Sequence, residues 1–162
     1  MALGVVMLGA TGAVGSHTAR ALAIDPRVER ITLLGRRSLS DFSAPTVEQH
    51  VIDIHAAGSY SKVLPGHDAA ICTLGIGQPS KVSKDEFVRV DKLAVLDFAT
   101  ACRDAGISHF EILTSVATSR SSPLFYLRVK GELETELVAM GFGRLSIFQP
   151  SMIITPTNRY SQ

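Results

Sequence analysis

Tyr126 and Lys130, in Tyr-Leu-Arg-Val-Lys, stand four residues apart and would share one face of a helix. A free tyrosine keeps its proton up to a pKa of about 10, and an ammonium one turn away favours the phenolate and brings proton transfer within reach of neutral pH. Such pairs are common on exposed helix faces, so the context matters. This one follows an apolar run that ends Leu113-Thr114-Ser115, and Gly131 directly after Lys130 permits another backbone to come close.

A second group lies near the N-terminus, in Gly9-Ala10-Thr11-Gly12-Ala13-Val14-Gly15. Gly9 suits a tight turn, Gly12 leaves bare backbone for a pyrophosphate, and Gly15 lets helix and strand pack closely. The free N–H groups and positive dipole end of the following helix would face phosphates. The expected cofactor contacts are therefore Gly9, Thr11, Gly12, Ala13, Val14 and Gly15. About twenty residues further on, where an NAD-preferring fold places an acid, the chain reads Leu34-Gly35-Arg36-Arg37. Guanidiniums grip a 2′-phosphate that an acid would repel, so Arg36 and Arg37 favour NADP(H) over NAD(H). Leu74-Gly75-Ile76-Gly77 follows the fourth apolar run, where a crevice opens as strand order reverses, and Leu74 and Gly75 are expected beside the cofactor riboses.

The elements that must hold these groups alternate as short apolar runs and longer segments of helical period, the pattern of βαβ units around a buried parallel sheet. Strands are expected at Val5–Leu8, Ile31–Leu34, Val47–Ile52, Ala69–Leu74, His109–Leu113 and Leu145–Phe148. The first helix is expected over Ala13–Ile24 with Val14, Thr18, Ala21 and Leu22 on its buried face. The longest runs from Lys84 to Ala105, with Ser83 and Glu86 as a capping box, Val82 stapled to Phe87 and Gly106 as terminator. A later helix takes Ser122 as cap and Pro123 as its first residue, turns Leu133, Leu137 and Met140 to the sheet and ends at Gly141. The fold class is α/β: one doubly wound parallel sheet of Rossmann type, strand order 3-2-1-4-5-6, forming a single domain over residues 1–162.

A net charge of +1 without long runs of either sign argues against nucleic acid and membrane-surface partners and leaves a small molecule. Cys72 and Cys102 have no metal-ligand or CxxC spacing and read as buried thiols in a reducing compartment. His17, His50, His55, His67 and His109 are scattered without ligand spacing, so no metal site is expected. The N-terminus carries no signal-peptide pattern, and no apolar stretch reaches the ~18 residues of a membrane span, which together read as a cytoplasmic protein.

The GxxGxxG spacing resembles the extended or atypical short-chain dehydrogenase/reductases. Asp85-Glu86-Phe87-Val88-Arg89-Val90-Asp91, His109-Phe110 before Leu113-Thr114-Ser115, and Phe125-Tyr126-Leu127-Arg128-Val129-Lys130-Gly131-Glu132 resemble the atypical members related to the Tat-interacting protein and the NmrA-like group. The likeness covers essentially the whole chain. It implies that Ser115 polarises a substrate carbonyl, with Thr114 and Thr118 as rival hydroxyls, that Tyr126 moves the proton, and that Lys130 holds the nicotinamide ribose. It also implies that Asp53, next to Ile54, accepts the adenine amino group, a turn or cap role being the alternative, and that Pro150, Ser151 and Met152 lie against the nicotinamide. Two departures stand out: Val90-Asp91 replaces the long-helix asparagine of many relatives, and the C-terminal substrate lobe is short or missing. The function implied is an NADP(H)-dependent oxidoreductase acting on a carbonyl or alcohol. The alternatives are a non-catalytic NADPH sensor or protein-binding regulator, and a nucleotide-sugar epimerase.

Overall fold

A computed structural model describes residues 2–154. Six strands, β1 (Leu3–Leu8), β2 (Val28–Gly35), β3 (Val47–Val51), β4 (Ala69–Cys72), β5 (His109–Leu113) and β6 (Arg144–Phe148), form one sheet in the order β3-β2-β1-β4-β5-β6. Every pairing is parallel. This is the order expected from the sequence, and it reverses direction between β1 and β4, opening a crevice at their C-terminal ends.

Helices cover the sheet on both sides: α1 (Ala13–Ala23), α2 (Lys84–Val88), α3 (Ala94–Asp104) and α4 (Phe125–Ala139). Alternate residues of β1 serve two cores. Val6 and Leu8 face a large cluster containing Phe98, Phe110, Leu133 and Leu137, whereas Val5 and Met7 face a smaller one with Ala19, Ile31 and Leu33. The α1 face differs in part from the sequence expectation: Leu22 packs against the smaller core as expected, but the fully buried positions are others. Gly15 and Ala19 are its buried residues, while Ala21 is exposed and Val14 turns toward the cleft. Small side chains let α1 approach the sheet more closely than Val14 would allow, so its buried face carries little apolar bulk.

The long helix is also interrupted. Ser83 Oγ accepts from Glu86 N at 3.1 Å, as a cap should, but a five-residue π turn, Arg89–Leu93, separates α2 from α3. α3 ends as expected: Gly106 has φ +84°, and Gly106 N and Ile107 N donate to Arg103 O and Cys102 O, a Schellman closure. α4 begins two residues later than Pro123, because Ser122 Oγ accepts from Leu124 N within the preceding turn and Leu124 becomes the cap. Tyr126 therefore sits in the first turn of α4. β2 starts at Val28, earlier than expected, and β4 stops at Cys72 because the chain turns away after Thr73 N pairs with Leu8 O.

Beneath the opposite end of the sheet, buried His67 links two elements. Its Nδ1 lies 2.8 Å from Leu64 O and must carry a proton, so Nε2 accepts the Thr32 hydroxyl at 2.9 Å. Burial, with Arg30 nearby, holds the imidazole below its ordinary value of 6.5 against the raising effect of the Leu64 bond. The folded chain thus refuses a proton that the unfolded chain accepts, and the stabilisation is complete above that ordinary value and lost as pH falls below it. Thermal denaturation between about pH 8 and about pH 5.5 should show a falling Tm with acidification, and His67→Gln should flatten that slope.

Candidate active site

The glycine-rich turn after β1 is held by contacts that only glycine permits. Gly9 has φ +98°, and a Cβ on Gly15 would lie 2.2 Å from Gly9 O. Gly12 differs: its Cβ would meet nothing closer than Gly9 O at 3.3 Å, so its bareness matters to what approaches from outside more than to the turn itself. Gly12 N donates to Gly9 O at 3.1 Å, and Gly12 caps α1 without a side-chain hydrogen bond. Thr73, which sequence reasoning passed over, donates its hydroxyl to Gly9 O at 3.0 Å and fastens the turn to the end of β4. Its only signal was a polar residue within the apolar run Ala69–Leu74.

Two adjoining cavities share Leu74 across the strand ends. The smaller, about 360 Å³, is lined by Leu8, Gly9, Thr11, Gly35, Arg36, Arg37, Ile54 and Leu74. Arg36 and Arg37 are both exposed, and Ile54 is buried at its wall. Asp53 is not among the lining residues; its Oδ1 accepts His55 N at 2.9 Å, the geometry of a turn residue. The larger cavity, about 1110 Å³, brings together Gly12, Ala13 and Val14 with Thr73, Gly75, Ser115, Tyr126, Lys130, Pro150, Ser151 and Met152.

The three expected catalytic side chains thus face one space. Tyr126 packs its ring on Phe87, with centroids 5.3 Å apart. The rival hydroxyls are separated by their partners. Thr118 Oγ1 donates to Glu134 Oε1 at 2.9 Å and accepts from Gln149 at 3.0 Å, away from the cavity wall. Thr114 lines the cavity but is buried, its hydroxyl directed at Phe148 O at 3.5 Å. Ser115 has only a 3.4 Å contact with Val116 O and remains available to a ligand. Gly131 lets this loop dock on α4, since a Cβ there would fall 2.2 Å from the Ser119 carbonyl carbon.

Lys130 is almost wholly buried and its Nζ lies 2.8 Å from Asp91 Oδ1. Asp91 Oδ2 accepts Ile76 N at 2.8 Å. Burial pushes this carboxyl above the usual range, while the Lys130 ammonium and the Ile76 N–H pull it back. The sequence marked Asp91 only as a departure from relatives; the signal for its pairing is an acid set among Phe87, Val90, Ala94, Val95 and Phe98, all buried, which needs a cation.

With this geometry in view, the class of protein is defined. The chain belongs to the NAD(P)H-binding family, which it matches over residues 9–140. Within that family it is homologous to the HTATIP2 and FMP52 proteins, the atypical short-chain dehydrogenase/reductase group expected from its motifs. It is 35% identical to Protein HTATIP2 of Rattus norvegicus over 152 residues, covering 93% of this chain and 62% of that protein. It is 32% identical over 155 residues to Protein FMP52, mitochondrial, of Meyerozyma guilliermondii, covering 92% of this chain and 64% of that protein. The chain therefore spans less than two thirds of the length of these curated relatives. The oxidoreductase ylbE from Lactococcus lactis superposes with a TM-score of 0.78 at 19% identity, covering 96% of this chain and 72% of that one. A UDP-N-acetylglucosamine 4-epimerase from Methanobrevibacter ruminantium gives 0.75 at 20% identity, over 91% and 54%. At such identities these two structures speak for the fold alone. Among the described residues, no helix is long and apolar enough to cross a membrane.

The glycine contacts separate two roles experimentally. Gly15→Ala should cost about 1–3 kcal/mol of stability in urea unfolding, as overpacking does. Gly12→Ala should unfold close to the unmodified chain yet lose NAD(P)H binding in a fluorescence titration.

Proposed function

We propose that this chain is the cofactor-binding domain, over residues 1–162, of an NADP(H)-dependent oxidoreductase that interconverts a carbonyl and an alcohol. The observation that carries the reading is the convergence of Ser115, Tyr126 and Lys130 on the cavity that also exposes the first turn of α1. The residues fit a dinucleotide along its length: Gly9, Thr11 and Gly12–Gly15 cradle the pyrophosphate, and Leu74 and Gly75 leave room for the riboses. Pro150, Ser151 and Met152 form the nicotinamide wall. Arg36 and Arg37, side by side at the cavity beyond β2, supply charge for a 2′-phosphate and favour NADP(H) over NAD(H). Ile54 offers an apolar wall for the adenine, while the Asp53 carboxylate is taken up by His55 N in a turn.

Bound nicotinamide supplies or accepts the hydride. The Ser115 hydroxyl donates to the substrate oxygen and polarises the carbonyl. Tyr126 Oη gives its proton to that oxygen during reduction and takes one during oxidation, assisted by the positive charge of Lys130. The partner is a small molecule, and the buried free thiols of Cys72 and Cys102 suit a reducing compartment such as the cytoplasm, although the fungal relatives carry a mitochondrial designation.

A second reading, a non-catalytic NADPH sensor that acts through a protein partner, draws on the Lys130 ammonium already being engaged by Asp91. Tyr126→Phe separates the two. NADPH oxidation with a panel of aldehydes and ketones should fall by about 100-fold or more while NADPH affinity stays unchanged. Absence of turnover in the unmodified chain, or equal turnover in the variant, would favour the sensor. Arg36→Ala combined with Arg37→Ala should weaken NADPH binding by about tenfold or more and NADH binding far less, as charge-assisted bonds to the 2′-phosphate require.

A further inference from the structure

Gln49 of β3 pairs in register with Leu33 of β2 and shares its face of the sheet, where the smaller core lies. Its amide closes a ring with a single residue of the loop between these strands. Leu39 N donates to Gln49 Oε1 at 2.8 Å, and Gln49 Nε2 donates back to Leu39 O at 3.3 Å. The same Nε2 donates to Phe42 O at 3.1 Å. A side chain here does what a neighbouring strand would do. Glutamate lacks the donors and lysine the acceptor, so the pattern calls for an uncharged amide.

The loop so held carries the arginines. Gly35 O accepts Ile52 N at 2.9 Å, and Leu39, four residues further on, is taken by Gln49, so the arch of residues 36–38 is tied at both ends to β3 and its continuation. The arch is tight: a Cβ on Gly35 would lie 3.2 Å from Arg37 O. Its three side chains are exposed, whereas Leu39 and Phe42 beyond it pack against the smaller core. Asp41 makes the turn between those two with φ +53°, a conformation aspartate tolerates. Arg20 of α1 lies over the Phe42 ring, 5.0 Å from its centre, and fastens the loop from the other side.

We infer that Gln49 is a positioning residue for cofactor selectivity, its amide holding the arch so that the Arg36 and Arg37 guanidiniums stand ready at the mouth of the smaller cavity. This rests on the reading of those arginines as the 2′-phosphate site. Gln49 lines neither cavity and acts through the backbone of the arch. An exposed arginine loses rotamer freedom when it grips a phosphate, and a mobile backbone beneath it adds to that cost. Fixing the chain at Gly35 and Leu39 removes the backbone part before the ligand arrives. The benefit goes to the dinucleotide with the 2′-phosphate, because NADH carries a hydroxyl there and gains far less from two guanidiniums.

Gln49→Met keeps the length and apolar stem of the side chain and removes all three hydrogen bonds. In fluorescence titrations the variant should bind NADPH about tenfold more weakly and change its NADH affinity by less than about twofold. Loosened folding alone would weaken both alike. Without cofactor, hydrogen exchange at the Leu39 amide should be faster in the variant than in the unmodified chain. An unchanged ratio of the two affinities, while Arg36→Ala combined with Arg37→Ala still weakens NADPH, overturns the inference and leaves the 2′-phosphate site standing. An arginine double variant that binds NADPH like the unmodified chain refutes the site and the inference together. Should Gln49→Met fail to fold, Ser38→Gly loosens the arch at an exposed position without touching the core. It should lower the preference for NADPH by about threefold, and an unchanged preference there would overturn the inference.

Discussion

The approach of α1 to the end of β1, with Gly15 lying over the Gly9 carbonyl, is the contact on which the site depends. It fixes the helix N-terminus close to the strand ends, and the Thr73 hydroxyl anchors the same carbonyl to β4. Because β1 and β4 are the strands between which the sheet order reverses, one backbone junction determines both the mouth of the crevice and the direction in which the first turn of α1 points. A side chain at position 15 would move the whole helix away. One at position 12 would meet nothing closer than the Gly9 carbonyl oxygen at 3.3 Å.

On the far side of the crevice, positioning falls to side chains. The loop after β5 docks against α4 at Gly131, Val116 N pairs with Pro150 O, and Thr118, Glu134 and Gln149 form a hydrogen-bonded brace. These contacts occupy the Thr118 hydroxyl and leave that of Ser115 with only its 3.4 Å contact to Val116 O. The π turn performs the corresponding task for Lys130. A regular helix packs side chains against neighbours at its own period, and a single wide turn allows an acid to enter an apolar interface without displacing Phe87 or Val90.

Much of this was legible in the sequence, for physical reasons that differ by residue. The parallel sheet followed from buried apolar runs alternating with helices, and its strand order from the Rossmann reading of the glycine turn, whose φ and contact requirements few other residues meet. The end of α3 at Gly106 and the cap at Ser83 were readable because each satisfies a local hydrogen-bond rule. What escaped depended on long-range partners. The burial of Ala19 cannot be seen as apolar periodicity, since a small residue is buried by what approaches it, whereas the close packing at Gly15 was expected from the turn. The start of α4 at Phe125 was hidden because Ser122 bonds locally to Leu124 N and leaves the cap to Leu124. Asp91 was noticed as a departure from relatives, but its partner Lys130 lies 39 residues on, and only the packing of α4 on the π turn joins them.

Charge is distributed unevenly along the cleft, and this bears on how binding and chemistry divide. At one end Arg36 and Arg37 are exposed beside Thr11 and Gly9, where cations can attract phosphate from solvent at small desolvation cost. At the other end the ionised groups are Lys130 and Asp91, buried and mutually neutralising. A buried unpaired ammonium would bind any anion that entered, including a free phosphate, and would need several kcal/mol to remain charged. Pairing it removes that competition and keeps the lysine's orientation. Among the residues lining the cleft, the exposed guanidiniums therefore leave one end positive, while the ion pair of Lys130 with Asp91 leaves the inner end close to neutral.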